Sequence, residues 1–170
     1  MSGGRNIGVA VDFSACSKNA LRWAATSLAA SGDRLILIHV KTSYQYEEGV
    51  AHLWGHDGSP LIPLVEFSDP RVSKIYGVSP DRETLEILTR AANQKGVEVF
   101  AKVLWGDPGK KLTEAVQRIP LQWLVVGNRG LSTVKRVLMG SVSTYVVNHA
   151  ACPVTVVREN MVPAAVTTNN

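Results

Sequence analysis

The stretch Leu124-Val125-Val126-Gly127-Asn128-Arg129-Gly130, continued through Leu131 to Met139 into Gly140-Ser141-Val142-Ser143, decides how this chain is read. Its β-branched apolar run stops at Gly127, as a buried strand ends. Gly130 follows, and after nine further residues Gly140-Ser141 stands at the head of a second helical pattern. Glycines admit a close backbone approach, and the first amides of a helix are unpaired donors with partial positive charge. A strand end joined to a helix start in this way is suited to an anion. The same residues also suit a plain strand-to-helix turn with ordinary caps, and the pattern alone leaves both readings open.

Working outward, the same alternation recurs along the chain. Ile7 to Val11 is a short apolar strand ending at Asp12. Ser14 reads as an N-cap, and Ala20, Leu21, Ala24, Ala25, Leu28 and Ala29 recur at helical spacing up to Ala30. After the turn Ser31-Gly32-Asp33, the continuous apolar run from Arg34 to Val40 implies burial on both faces, as in a parallel sheet. Ser79-Pro80-Asp81 reads as an N-cap at Ser79 with proline at the first helical position, opening a helix through Leu85, Leu88 and Ala92 to near Gly96. Val97 to Leu104 is a third strand. Asp107-Pro108-Gly109 starts a helix that carries Leu112, Ala115, Val116 and Ile119 and stops at Pro120. Leu121 to Val126 is a fourth strand, the helix after Gly140 carries Val142, Tyr145, Val146 and His149, and Ala151 to Val157 is a fifth strand.

This pattern predicts an α/β domain over residues 1–158: a doubly wound, five-stranded parallel sheet with helices on both faces and right-handed crossovers. An insertion from about residue 41 to 79, rich in Gly, Pro, Ser and Tyr, is expected as a long functional loop, with Leu61 to Val65 apolar enough to pack on the domain or a partner. The polar tail 159–170 is expected to be disordered.

Composition narrows the function classes. At 170 residues the chain is one domain long, and its net charge of +4 is mild. No Lys/Arg cluster comes with interleaved aromatics, so no nucleic-acid footprint is expected. The apolar runs fall far short of the ~20 residues that cross a bilayer, so no membrane span is expected. Met1 to Asn6 has no apolar core and does not read as a secretory leader. Cys16 and Cys152 lie far apart without metal-ligand spacing, which suits reduced thiols in a cytosolic (cytoplasmic) or nuclear setting.

In such sheets ligands bind beyond the carboxyl ends of the strands, here Val11-Asp12, Val40-Lys41, Trp105-Gly106 and Val126-Gly127. Gly106 to Lys111 lacks the Ser/Thr of a Walker loop, and the chain carries neither a GxGxxG fingerprint nor a GxSxG elbow. Asp12 suits a turn cap or a ligand contact. His52 and His56 are four apart beside Asp57, but Gly55 and Gly58 oppose a helix there, so solvated loop histidines rather than a metal site are expected. His39 reads as a satisfied core histidine, and Cys16 and Cys152 as structural.

Gly127-x2-Gly130-x9-Gly140-Ser141 resembles the nucleotide-binding signature of the universal stress protein (UspA) family. Ile7-Gly8-Val9-Ala10-Val11-Asp12-Phe13-Ser14 resembles that family's first strand with its terminal Asp, His39-Val40 the end of its second, and Ala151-Cys152-Pro153-Val154-Thr155-Val156-Val157 its last. The resemblance covers about Arg5 to Arg158 and is closest to the single-domain plant members. It implies an adenine-nucleotide α-hydrolase-like (Rossmann-like) fold that binds ATP or AMP, with Mg²⁺ accompanying ATP, and a homodimer. By position it implies the backbone around Val11 and Val40, with Phe13 alongside, at the adenine; Asp12 at the ribose; and Val126-Gly127 at the sugar. At the phosphates it implies Gly130, Gly140, Ser141, Val142 and Ser143, with Arg129 in the variable part of the loop.

The function implied is nucleotide-dependent regulation in stress response. No catalytic residue is assigned. Asp12 is the carboxylate placed near the phosphates, so rapid hydrolysis is not expected, and slow hydrolysis stays open. A second reading is an oligomeric holdase chaperone presenting Tyr44, Tyr46, Trp54, Leu61, Ile62 and Leu64 to protein clients. A third, nucleotidyl transfer, needs an HxGH-like or SGGxDS-like motif, and neither is present. The apolar last strand (Val154, Val156, Val157) is expected at a sheet edge, paired with its copy.

Overall fold

Six strands organise the computed structural model, which describes residues 4–42, 57–128 and 136–158, with backbone alone for 136–140. β1 (Asn6–Ala10) leads through α1 (Ala15–Trp23) to β2 (Arg34–Lys41). The insertion then supplies β3 (Ile62–Pro63), α2 (Leu64–Phe67) and α3 (Pro70–Ile75). α4 (Arg82–Lys95), β4 (Glu98–Trp105), α5 (Pro108–Arg118), β5 (Trp123–Asn128), α6 (Arg136–His149) and β6 (Val154–Arg158) complete the described order.

The strands lie in the order β3-β4-β2-β1-β5-β6. Every pairing is parallel except β3 with β4, which is antiparallel. The chain therefore winds outward from β1 on one side and returns to build β5 and β6 on the other. Order reverses between β1 and β5. The alternation along β2 shows why its apolar run is continuous: Leu35 and Leu37 join the core under α1 and α4, with Leu21 and Leu88. Ile36 and Ile38 join the opposite core, with Leu112 and Val116 of α5 and Val146 of α6. Both faces of the sheet are covered, as the sequence predicts.

The α/β class and the covered parallel sheet agree with expectation, and several details differ. The sheet has a sixth strand, because the insertion is not wholly loop. Ser59, 1 % exposed, exchanges hydrogen bonds with Val103 at 2.9 Å through both its amide and its hydroxyl. Ile62 and Phe67, each 1 % exposed, anchor the segment, so it covers the edge that β4 would otherwise present. Tyr44, Tyr46, His52, Trp54, His56 and the tail 159–170 lie outside the described residues.

α4 is capped by Asp81, not Ser79. The Asp81 carboxylate accepts from the Thr84 amide at 3.0 Å and pairs with Lys18 Nζ of α1 at 2.7 Å, a tertiary bond that local sequence does not show. The helix expected to run to Ala30 widens to a π turn over Ala24–Leu28. Carbonyls there are drawn to outside donors: Lys95 Nζ reaches Ala25 and Thr26, and Arg5 reaches Leu28. α6 already includes Arg136, so Gly140 lies inside the helix and not at its head. β6 is an edge strand, but Val157 points into the interior at 1 % exposure. What the edge offers is backbone, flanked by the half-buried Val154 and Val156.

Candidate functional site

A cleft of about 490 Å³ opens beyond the carboxyl ends of β1, β2 and β5, at the point where strand order reverses. Its volume falls within the roughly 300–1,000 Å³ usual for small-molecule sites. Val11, Asp12, His39, Val40, Val126 and Gly127 line it from the strand ends, and Leu112 and Val142 close it from α5 and α6. Asp12 and Lys41 are the charged side chains among the described lining residues.

The turn from β1 into α1 is tightly determined. Asp12 Oδ1 accepts from the Ser14 amide (3.0 Å) and the Ser14 hydroxyl (2.5 Å), and the Asp12 amide donates to Ser17 Oγ at 3.1 Å. Ser14 also caps α1 by accepting from the Ser17 amide, as the sequence predicts. Partial burial pushes the Asp12 carboxyl up, but the hydrogen bonds from Ser14 and Ser17 outweigh it and hold its pKa below the ordinary value. Asp12 is thus ionised at neutral pH, oriented, and exposed to the cleft. One Asp12 oxygen therefore serves the turn while the group faces the opening.

Beside it, Phe13 adopts φ +66°, a left-handed conformation that is costly for a bulky residue and clusters at functional sites. His39 Nδ1–H donates to the Val11 carbonyl at 2.8 Å, and the His39 and Phe13 rings stand 5.0 Å apart at 47°. Burial lowers the His39 pKa; the bond to Val11 opposes it, with Lys41 lowering and Asp12 raising it further. The ring is therefore neutral at pH 7.

On the other strand end, Gly127 is required by packing. A Cβ there would stand 2.8 Å from the Cys16 carbonyl oxygen and 3.0 Å from its sulfur. The missing side chain lets the first turn of α1 close against β5 and brings Asp12 and Gly127 to one cleft. Cys16 is buried, Cys152 is partly buried with its thiol pKa raised by desolvation, and the two do not form a disulfide.

Of the residues singled out in sequence, Val11, Asp12, Val40, Val126, Gly127 and Val142 converge on the cleft. Phe13 backs its wall. Ser141 is exposed on α6, and Ser143 is buried near Asn128 Nδ2 at 3.5 Å; neither lines the cleft. Gly140 belongs to α6, and Arg129 and Gly130 lie outside the described residues. Ser14, Cys16, Ser17 and His39 are lining residues that sequence reasoning did not assign to the site. The position of His39 at a strand's carboxyl end was the available signal. No group of three potential metal ligands occurs among the described residues, and none of their helices is long and apolar enough to cross a membrane.

Comparisons with known proteins converge. The model of the universal stress protein family matches residues 4–158. The universal stress protein A-like protein of Arabidopsis thaliana is 31 % identical, over 84 % of this chain and 78 % of its own length. Universal stress protein PHOS32 of the same plant is 30 % identical over 91 % of this chain, but the chain spans 64 % of that relative. Among solved structures, a universal stress protein family protein from Arabidopsis thaliana with AMP bound aligns with a TM-score of 0.56 at 26 % identity, covering 98 % of this chain and 97 % of that one. A universal stress protein in complex with cAMP shares the fold at a TM-score of 0.58 and 24 % identity, covering 94 % of this chain and all of that one.

Proposed function

The chain belongs to the universal stress protein family, and we propose that it binds an adenine nucleotide, AMP or ATP, in the cleft between β1 and β5 and acts as a nucleotide-dependent regulator in stress response. The observation that carries this is the meeting of the Asp12 carboxylate and the Gly127 backbone from two strand ends at the switch point. Support comes from the 26 %-identical relative whose structure holds AMP. Across the opening, the order β2, β1, β5 matches a ligand laid out as base, ribose and phosphate. Val40 would flank the base, Asp12 would accept from ribose hydroxyls, and the chain from Gly127 through Gly130 toward Gly140 would hold the phosphates. Mg²⁺ would arrive with ATP, held by phosphate oxygens and by Asp12, the one carboxylate among the described lining residues.

Isothermal titration with AMP, ATP and GTP tests the reading. Binding of the adenine nucleotides, weakened by Gly140→Asp and by Asp12→Ala, is expected. No heat with AMP or ATP from folded protein would refute it, as would full affinity in both variants.

We further propose that β6 pairs with its copy in a homodimer. A light-scattering mass of one chain at micromolar concentration refutes that. The holdase reading is favoured by one feature of the insertion: Val65, Ile75 and Leu61 are 77 %, 54 % and 39 % exposed. Unchanged suppression of client aggregation in Val65→Ser/Ile75→Ser would count against it.

A further inference from the structure

Two bonds fix the peptide group between Val11 and Asp12. Its carbonyl accepts from His39 Nδ1 at 2.8 Å, and its N–H donates to Ser17 Oγ at 3.1 Å. One residue earlier, the Val11 amide donates to the Ile38 carbonyl at 2.9 Å, so consecutive residues of β2 grip both polar groups of Val11. On the far side of Asp12, Phe13 holds φ +66° with its ring against His39. Such a conformation persists where the surroundings over-determine it. The histidine thus touches the residue on each side of Asp12 without touching the carboxylate itself. Because a carbonyl only accepts, the proton of the neutral ring sits on Nδ1.

We propose that His39 is a positioning residue, whose Nδ1–H bond to the Val11 carbonyl aims the Asp12 carboxylate at the ribose of the bound nucleotide. This rests on the adenine-nucleotide reading above. Ser14 holds the carboxylate and Ser17 the Asp12 amide from the helix side, and His39 holds the preceding carbonyl, that of Val11, from the sheet side. If the Val11 carbonyl loses its donor, the Val11–Asp12 peptide can rotate and the strained Phe13 can relax. Asp12 then leaves its aim while the strands beneath stay paired.

The test is calorimetric titration of AMP and 2′,3′-dideoxy-AMP into wild type, Asp12→Ala, His39→Phe and His39→Asn. A carboxylate–hydroxyl bond gives wild type about tenfold preference for AMP, and Asp12→Ala brings the ratio near one. His39→Phe keeps a ring against Phe13 but lacks the donor, and its ratio should fall to less than about threefold on the same scale. His39→Asn places an amide N–H where Nδ1 stood and should retain the preference. A role in stability alone lowers both affinities together and leaves the ratio unchanged.

Failure of wild type to bind AMP overturns the nucleotide reading and this proposal with it. A preference intact in Asp12→Ala overturns Asp12 as the ribose ligand, and again this proposal with it. A preference lost in Asp12→Ala but intact in His39→Phe overturns this proposal alone. If His39→Phe does not fold, loss of the preference in His39→Asn overturns it.

Discussion

Replacing Gly127 with alanine should cost stability through crowding alone. Gly127 is not among the glycines with positive φ, so alanine meets no backbone penalty. The added Cβ would lie 2.8 Å from the Cys16 oxygen, 3.0 Å from its sulfur and 3.1 Å from its carbonyl carbon. Ordinary contact begins near 3.4 Å, so the first turn of α1 must retreat by several tenths of an ångström. Overpacking of this kind costs about 1–3 kcal/mol. For a chain of this size each kcal/mol moves Tm by about 2–4 °C, so a fall of roughly 2–12 °C is expected by circular dichroism. Two of the three crowded atoms are backbone, which gives a sharper test. Cys16→Ala removes the sulfur but not the carbonyl, and in the double variant it should restore less than half of the loss. The same retreat moves Ser14 and Ser17, so AMP affinity should fall with Tm. A melting point within 1 °C of wild type, or full recovery in the double variant, would refute the packing argument.

Three further expectations follow from single contacts. Asp33, 4 % exposed, accepts from the Arg5 and Ala30 amides and pairs with the Arg5 guanidinium at 2.8 Å. Asp33→Ala should cost about 2–3 kcal/mol in urea unfolding, chiefly through the orphaned amides, and a loss below about 0.5 kcal/mol would contradict it. Lys18, and next Thr84, hold the Asp81 carboxyl down to about 2. Its folded pKa lies below the unfolded value, so its contribution is present above about pH 4 and is lost as pH falls toward 2. Lys18→Met should therefore flatten Tm against pH in that window, and an unchanged slope would contradict the pairing. Trp123 Nε1 donates to Thr155 Oγ1 at 2.8 Å, tying the edge strand to β5. Trp123→Phe should speed amide exchange in β6 before it lowers Tm, and uniform protection would argue against the tie.

Much of this molecule follows from its sequence, for reasons that are local. Apolar runs such as Arg34–Lys41 form buried strands, Ser14 and Asp107 cap helices with their own side chains, and Gly96 ends α4 at φ +67°. Each depends on residues within a turn or two. Alternation of these elements then restricts the sheet to a parallel, doubly wound form and puts any site at the strand ends. Asp12, Val40 and Gly127 could be named on that basis.

What only the tertiary structure decides are relations between residues far apart in sequence. The bond from His39 to Val11 joins positions 28 residues apart, and it turns a residue read as core filling into part of the cleft wall. The need for glycine at 127 comes from Cys16 on another element, the cap of α4 is settled by Lys18, and the fate of the insertion by the open edge of β4. Propensity and periodicity register burial along one element. They carry no information on which groups meet once β1 lies between β2 and β5, and it is that meeting that makes the cleft.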